Sequence, residues 1–255
     1  MTVSDLRVAV AGAAGRMGTA TCAAVQAAPD LELVARLERG DSVTTAKDSG
    51  AEVLVDFTTP VSVMATLADA VALGLHVVVG TSGFDEARLR AVERLLQGHP
   101  GVGVVVAPNF AVGAVLLMRF ARLAAPHFES VEVVELHHPD KVDAPSGTAM
   151  HTARAVAASR LAAGLPTSPD STTSSLDGAR GATVDGVSVH SVRLRGLVAH
   201  QEVLFGNPGE VLTVRHDSLD RQSFMPGVLR AVRQVPKRPG LTVGLEPLLG
   251  LEPLP

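Results

Sequence analysis

The sequence predicts an α/β protein with two parts: an N-terminal doubly wound parallel sheet and an α+β domain with a mixed or antiparallel sheet. Up to about Asn109, short apolar runs alternate with helical patterns, which is typical of parallel strands that helices cover on both faces. The first apolar run leads into a glycine-rich turn. After Asn109, strands of alternating polarity follow one another between Gly-rich turns, and this pattern favours antiparallel neighbours.

The apolar runs before Asn109 define the strands of the parallel sheet. They are Leu6–Ala11, Leu31–Leu37, Val53–Phe57, His76–Val79 and Val102–Ala107. Helices are predicted between them at Thr19–Val25, Val61–Leu73 and Asp85–Leu96. Ligands of such sheets lie beyond the carboxyl ends of the strands, so the turns that follow these runs are predicted to bind the ligand.

The remainder of the chain is predicted to form the second domain and a final helix. Helices are expected over Val112–Ala125, from Ser146 onward and over Ser223–Val235. A strand is expected over Val131–His137, and Gly164–Gly181 is predicted to be a loop. An antiparallel meander is predicted from Val187–Arg195, Ala199–Phe205 and Glu210–Arg215. One helix cannot cover both faces of such a sheet, so its free face is predicted to contact another subunit.

A glycine-rich turn joins the first strand to the first helix. Its residues are Gly12, Ala13, Ala14, Gly15, Arg16, Met17 and Gly18. Glycines allow a tight turn and a close approach of the backbone to a pyrophosphate, which the helix N-terminus then stabilises. A Rossmann-type dinucleotide-binding domain is therefore predicted, although the spacing is G-x-x-G-x-x-G and not the commoner G-x-G-x-x-G.

Glu38 and Arg39, at the end of the second strand, predict how the cofactor ribose is bound. Glu38 follows the glycines by about 20 residues, where an acidic residue hydrogen-bonds the adenosine ribose. Arg39 could hold a 2′-phosphate at the same place. The pair predicts the use of NADH, NADPH or both, and a surface Glu-Arg pair at a strand end is the alternative.

Residues 135–149 carry the most informative chemical pattern. They combine two imidazoles, His137 and His138, with the ammonium of Lys141 and a helix start at Ser146. An imidazole exchanges protons near neutral pH. An ammonium and the unpaired N–H groups of Ser146–Thr148 suit a carboxylate or phosphate. The segment therefore predicts proton transfer beside an anion site.

The His137-His138 pair also has a simpler interpretation. Two histidines at a strand end more often form a polar edge, and strand alternation places them on opposite faces. Pro139 permits a bend that would bring both into one site, because proline restricts the preceding residue and cannot continue the hydrogen-bond ladder.

Together these segments resemble the 4-hydroxy-tetrahydrodipicolinate reductase family over nearly the whole chain. The matching motifs are Gly12–Gly18, Val79–Phe84, Ala107–Gly113 and Glu135–Ala149. The resemblance implies an NAD(P)H-dependent oxidoreductase of lysine and diaminopimelate biosynthesis. Its substrate would be 4-hydroxy-tetrahydrodipicolinate, reduced through a dehydrated cyclic imine dicarboxylate to tetrahydrodipicolinate. A homotetramer is also implied, with residues 1–108 and 218–255 as the dinucleotide-binding domain and residues 109–217 as the substrate-binding and oligomerisation domain.

The resemblance also implies residue roles. His137 would be the proton donor, with Lys141 as a second proton-donating group. The substrate would contact His138, Lys141, Ser146, Gly147 and Thr148. The cofactor would contact Gly12, Ala13, Ala14, Gly15, Arg16, Met17, Glu38, Arg39, Phe57, Gly80, Thr81, Ser82, Ala107, Pro108, Asn109 and Phe110. Asp140 and Ser82 depart from the family pattern, which often has His and Thr there, and Asp140 adds negative charge beside a site for a dianion.

Composition narrows the class of protein. The formal net charge of −4 argues against a nucleic-acid-binding surface. Cys22 is the single cysteine, so no intrachain disulfide can form and a reducing, cytoplasmic compartment is expected. No apolar run is long enough to span a bilayer, and the N-terminus does not have the pattern of a signal peptide. No metal site is expected.

Two other classes of protein stay open on the sequence. One is another two-domain dehydrogenase of amino-acid metabolism, although a semialdehyde dehydrogenase needs a thiol near its substrate and Cys22 lies in the cofactor half. The other is a nonenzymatic dinucleotide-sensing regulator, which would need a basic recognition element that the sequence does not show. His190, His200 and His216 lie in the predicted meander and receive no role.

Overall fold

The computed structural model describes residues 5–251, which form two compact units. The first comprises the described residues up to 112 and from 224 onward, and the second comprises residues 113–223. The predicted boundaries, 108/109 and 217/218, lie a few residues earlier. At the first boundary the reason is packing. A Cβ atom added to Gly227 would lie 2.1 Å from the carbonyl oxygen of Phe110, so the chain around Phe110 stays with the first unit.

The secondary structure follows the predicted order, with three short elements added, one helix and two strands. The strands are β1 (Leu6–Ala11), β2 (Leu31–Leu37), β3 (Val53–Asp56), β4 (His76–Val79), β5 (Gly103–Val106), β6 (Ser130–His137), β7 (Ala182–Val184), β8 (Val187–Arg193), β9 (Ala199–Asn207), β10 (Glu210–Ser218) and β11 (Gly240–Val243). The α-helices are α1 (Arg16–Ala27), α2 (Val43–Asp48), α3 (Val63–Ala72), α4 (Glu86–Gln97), α5 (Val112–Ala124), α6 (Gly147–Ala162) and α7 (Met225–Gln234). Within residues 5–251, no helix has both the length and the apolar character that crossing a membrane requires.

The first unit is built on a parallel sheet with the strand order β2-β1-β3-β4-β5-β11. β3 is buried along its whole length, as expected for a strand covered on both faces. The chain runs from β1 outward to β2 and then returns to β3 on the other side of β1. Ligands of doubly wound sheets bind beyond the carboxyl ends of the strands at such a switch point. The predicted fold class is confirmed.

α2 is absent from the prediction because it is short. The hydroxyl of Ser42 accepts a hydrogen bond from the N–H of Thr44 at 3.2 Å at its start. α4 begins in the same way, with the carboxylate of Asp85 accepting from the N–H of Arg88 at 2.8 Å. A capping residue alone does not distinguish a short helix from an isolated turn. α4 could be predicted because it also has a long amphipathic face, and α2 is too short to have one.

The second unit contains a mixed sheet with the strand order β10-β9-β6-β8-β7. The predicted antiparallel meander is wrong for β8, which pairs parallel with β6, and β6 lies between β8 and β9. β9 and β10 do form an antiparallel pair. The partner of β8 is far away in the sequence, and a local polarity pattern does not contain that information.

β7, also absent from the prediction, forms a hairpin with β8. The turn between them is Asp185-Gly186, with φ angles of +48° and +86°. Two-residue hairpin turns of this kind favour Asp-Gly, because both residues adopt positive φ. The sequence therefore does contain a local signal for this hairpin.

Candidate functional site

The glycine-rich turn has the geometry of a dinucleotide-binding turn. The N–H groups of Gly12 and Ala13 donate to the carbonyl of Leu37 at 2.9 and 3.1 Å, so the turn after β1 lies against the end of β2. Gly12 has a φ of +75°, and a Cβ atom there would lie 2.5 Å from the carbonyl oxygen of Phe57. A Cβ atom on Gly18 would lie 2.0 Å from the carbonyl oxygen of Gly12. Both positions therefore require glycine.

The N-terminus of α1 is exposed at this turn. Gly15 is its N-cap and has no side chain that could accept from the first N–H groups of the helix. Those groups carry partial positive charge, so they fit a pyrophosphate. Of the neighbouring residues, Ala14 and Arg16 are exposed, Met17 is half-buried and Ala13 is buried.

Glu38 and Arg39 are exposed directly after β2. Leu37 accepts both hydrogen bonds from the glycine-rich turn, so Glu38 follows immediately after the residue that holds the turn. The N–H of Glu38 donates to the carboxylate of Asp41 at 2.8 Å. The predicted ribose-binding residue and the predicted pyrophosphate site are therefore neighbours.

A buried aspartate joins the turns that follow β3 and β4. Asp56 is 0% exposed, and its Oδ1 accepts from the hydroxyl of Thr81 at 2.7 Å and from the hydroxyl and N–H of Thr58 at 2.8 and 2.9 Å. Burial raises the pKa of Asp56, and the hydrogen bonds from Thr58 and Thr81 oppose that rise. Thr81 is predicted to contact the cofactor, but its hydroxyl donates its hydrogen bond to Asp56. The sequence prediction places Asp56 at the end of the third strand but gives it no role, although an acid at the end of an apolar strand indicates a functional or structural polar contact.

Two phenylalanines connect the turns after β3 and β5. The rings of Phe57 and Phe110 meet edge to face, with centroids 6.0 Å apart. A Cβ atom on Gly80 would lie 2.1 Å from the ring of Phe57, so glycine leaves the space that this ring fills. The turns after β3, β4 and β5 are thus held together. The other residues predicted to bind the cofactor range from exposed to buried: Ser82, Pro108, Asn109 and Ala107.

Glu135 is the first residue of the predicted substrate segment, and its carboxylate is fully buried. Its Oε2 lies 2.5 Å from Nδ1 of His137, two residues along the same face of β6. Arg193, at the end of β8, donates to both carboxylate oxygens at 2.9 and 2.8 Å. Burial raises the pKa of Glu135, but hydrogen bonds from His137, Arg193 and Ser191 outweigh burial and lower the pKa to about 2. Glu135 is therefore ionised at neutral pH.

The same carboxylate holds the start of α6. The N–H of Ser146 donates to Oε1 of Glu135 at 3.1 Å, and the Ser146 hydroxyl caps α6 by accepting from the N–H of Ala149 at 3.2 Å. Nη2 of Arg193 also donates to the backbone carbonyl of Asp143 at 2.7 Å. The imidazole, the loop after β6 and the helix start are therefore tied to one ion pair.

Asp143 occupies the predicted carboxylate site. Its side chain accepts hydrogen bonds from the ammonium of Lys141 and, at 3.2 Å, from the N–H of Gly147. Burial raises the pKa of Asp143, and the Lys141 contact outweighs burial and lowers it. The expectation of unpaired N–H groups is wrong for Ser146 and Gly147, because carboxylates of the protein itself accept from both. Each occupant is a carboxylate, which is the chemical group predicted for these donors.

His138 and Asp140 lie near the solvent in the same loop. Nδ1 of His138 lies 4.0 Å from the carboxylate of Asp140, whose side chain is 96% exposed. Water and salt therefore screen most of the additional charge that Asp140 brings. The side chain of His137 is only 12% exposed, so the two consecutive imidazoles have different environments.

The three histidines without an assigned role are either paired with a carboxylate or partly buried. Nε2 of His190 lies 2.7 Å from the carboxylate of Glu132, and Nδ1 of His200 lies 2.6 Å from that of Asp217. Burial lowers the pKa of His216. Among the described residues, no group of three or more His, Cys, Asp or Glu side chains is arranged to hold a metal ion.

Comparison with known proteins covers both units. The family model described as dihydrodipicolinate reductase, N-terminus, matches residues 6–110, and the one described as dihydrodipicolinate reductase, C-terminus, matches residues 113–249. The chain is 63% identical over 246 residues to the 4-hydroxy-tetrahydrodipicolinate reductase of Nocardia farcinica, covering 96% of this chain and 99% of that one. It is 61% identical over 247 residues to the enzyme of the same name from Cutibacterium acnes, covering 97% and 100%.

A solved structure agrees with this result. The dipicolinate-bound dihydrodipicolinate reductase from Paenisporosarcina sp. TG-14 superposes with a TM-score of 0.83 at 39% identity, covering 95% of this chain and 99% of that chain. The resemblance inferred from the motifs is confirmed, and it is specific enough to set aside the two alternative classes. From the full-length identities, the matching family models and the shared fold, the chain belongs to the dihydrodipicolinate reductase family, whose curated members are named 4-hydroxy-tetrahydrodipicolinate reductase.

Proposed function

We propose that this chain reduces 4-hydroxy-tetrahydrodipicolinate to tetrahydrodipicolinate with NADH or NADPH, in lysine and diaminopimelate biosynthesis. The species that accepts hydride would be the dehydrated cyclic imine, a small ring with two carboxylates. The observation that carries the proposal is the segment 135–147, where an imidazole held by a buried carboxylate precedes a lysine and a helix start that already bind a carboxylate. The Paenisporosarcina relative binds dipicolinate, a cyclic dicarboxylate of the same class.

The two units would divide the work. In the first, the glycine-rich turn, Glu38 and the turns joined by Asp56 and Phe57 would hold the dinucleotide. When bound, its nicotinamide supplies the hydride. In the second, residues 135–149 would hold the substrate, and the mixed sheet would form the subunit contacts.

His137 would donate the proton that completes the reduction. Its Nδ1 is engaged by Glu135, so Nε2 is the nitrogen that transfers the proton. Lys141 and the N–H of Gly147 would bind one substrate carboxylate, with Ser146, Thr148 and His138 around it. Positive charge there would also stabilise the negative charge that develops in the ring, and Lys141 would be the second proton-donating group.

A substrate carboxylate would have to displace Asp143 from Lys141. Asp143→Asn is therefore expected to tighten the binding of pyridine-2,6-dicarboxylate by about two- to fivefold, the modest change expected for a partly exposed ion pair. Calorimetric titration measures this, and Asp140→Asn is a matched control because Asp140 is an exposed acid of the same loop. Weaker binding by Asp143→Asn would mean that Asp143 orients Lys141 and does not compete with the ligand.

For the cofactor, we infer that both NADH and NADPH are used. Glu38 can accept from a ribose hydroxyl, and Arg39 can pair with a 2′-phosphate. Arg39→Ala is expected to raise KM for NADPH by about tenfold and to change KM for NADH much less. Steady-state kinetics with each cofactor measure the two constants, with Arg36→Ala, another exposed arginine of this region, as the control. Equal changes for both cofactors would refute the phosphate assignment.

We also infer a homotetramer in the cytoplasm. The edge strand β10 leaves Val211 73% exposed and Leu212 39% exposed, and such apolar exposure is usual where another subunit packs. Light scattering is expected to give four times the mass of one chain, and a monomer at working concentration would contradict this inference.

The single cysteine suits a reducing compartment, and cell fractionation tests that location.

A further inference from the structure

The carboxylate of Glu135 connects parts of the site that are far apart in the sequence. It accepts hydrogen bonds from His137, from Ser146 and from Arg193, which is 58 positions away. A buried charge is costly unless it is paired and hydrogen-bonded, and the forked contact with Arg193 provides that pairing. An ionised carboxylate is thereby fixed beside the imidazole.

This contact decides which nitrogen of His137 carries the proton in the neutral ring. An ionised carboxylate only accepts hydrogen bonds, so Nδ1 must be the donor. Nε2 is then the nitrogen that binds and releases a proton. After the proton has been donated, the ring keeps its Nδ1–H bond to Glu135, so the ring does not have to turn between the two states.

We propose that Glu135, held by Arg193, is a positioning residue that fixes the tautomer and orientation of His137 so that Nε2 is the proton donor. The kinetic consequences rest on the proposed function, whereas the tautomer can be observed without any activity. Arg193 extends the arrangement, because Nη2 also bonds the carbonyl of Asp143. The proton donor and the loop that binds the carboxylate are therefore held by one ion pair.

The charged groups near His137 lie on β6, on β8 and in the loop after β6. Glu135 is on its own strand, and Arg193 is the residue that pairs with His137 across β6 and β8. Lys141 and Asp143 form an ion pair with each other in the loop that follows. On β9 the residue paired with His137 is Ala199, and the next residue, a histidine, is bonded to the carboxylate of Asp217. Glu135 is thus the anion in direct contact with the imidazole.

Nitrogen NMR spectra of isotopically labelled histidine rings test the tautomer. The His137 ring is identified as the signal that His137→Gln lacks. In the wild-type protein the neutral ring is expected to carry its proton on Nδ1. In Glu135→Gln the neutral ring is expected to lose this preference and to show both tautomers, because a carboxamide can donate as well as accept a hydrogen bond. A neutral wild-type ring protonated on Nε2, or a variant ring that keeps the wild-type tautomer, would overturn the proposal.

Activity provides the second readout. Reduction requires a proton from Nε2, so kcat depends on how the ring is held. In Glu135→Gln kcat is expected to be reduced by about 10- to 100-fold. Glu135→Asp keeps the charge and is expected to recover most of the wild-type kcat. A wild-type kcat in Glu135→Gln would remove the positioning role even if the tautomer is as expected.

Glu132→Gln is the matched control. Glu132 lies on the same strand and contacts a histidine, His190, at 2.7 Å, but lies outside the segment that would bind substrate. Its substitution is expected to leave kcat and the tautomer of His137 unchanged. If Glu135→Gln does not fold, Arg193→Lys replaces it, because lysine keeps the positive charge and loses the fork. A lower kcat is expected for that variant, and an unchanged kcat would overturn the proposal.

Discussion

Replacing His137 with Gln is expected to lower kcat by about 10²- to 10⁴-fold, the usual range for losing a general acid. Glutamine keeps hydrogen-bonding groups of similar size but does not deliver a proton near neutral pH. The dissociation constant for NADH is expected to stay unchanged, because the predicted dinucleotide residues lie in the first unit and His137 in the second. Steady-state kinetics and fluorescence titration with NADH measure the two quantities.

His127→Gln serves as the control for this substitution. It removes another histidine of the second unit, in the short 3-10 helix after α5, at a position outside the segment 135–149. Its kcat is expected to match the wild type. If His137→Gln weakened NADH binding as much as it lowered turnover, His137 would be a structural residue and the assigned proton transfer would be wrong.

Replacing Lys141 with Ala is expected to weaken the binding of pyridine-2,6-dicarboxylate by about 10- to 100-fold. This planar ring has both carboxylates of the substrate in place but does not readily accept hydride, so it should bind as a competitive inhibitor. Charge-assisted hydrogen bonds contribute roughly 1.5 to 3 kcal/mol each. The structure supports the assignment because Lys141 and Gly147 already hold the carboxylate of Asp143.

Calorimetric titration of Lys141→Ala with the dicarboxylate, with and without NADH, measures this loss. Affinity is also expected to rise in the presence of NADH. Lys47→Ala is the matched control, since it removes a lysine from α2 in the first unit. Unchanged affinity in Lys141→Ala would mean that residues 137–148 are not the carboxylate site.

Much of the first unit could be predicted because its signals are local. Continuous apolar runs such as Val53–Asp56 require burial on both faces, and a parallel sheet between helices provides it. Gly18 is dictated by a close contact with the carbonyl of Gly12 in the same turn, and Gly12 by its own positive φ together with the nearby carbonyl of Phe57. The strands of the first unit, and the turn that follows β1, can therefore be predicted from the residue types of each segment.

In the second unit, local sequence patterns predict less of the structure. The start of α6 can be predicted from the capping residue Ser146, but the position of β8 beside β6 depends on residues far apart in the sequence. The same is true of the pair between Glu135 and Arg193. Sequence spacing also gives no side-chain distances, so it could not reveal that Asp143 folds back onto Lys141.

The most direct test is the oxidation of NADH and of NADPH by the purified chain, followed as the loss of reduced-nicotinamide absorbance. The substrate is generated in the cuvette by enzymatic condensation of pyruvate with aspartate semialdehyde. Oxidation is expected only when both precursors are present, and His137→Gln should abolish most of it under the same conditions. If neither cofactor were consumed with the complete mixture, the assignment of this chain as a 4-hydroxy-tetrahydrodipicolinate reductase would be contradicted.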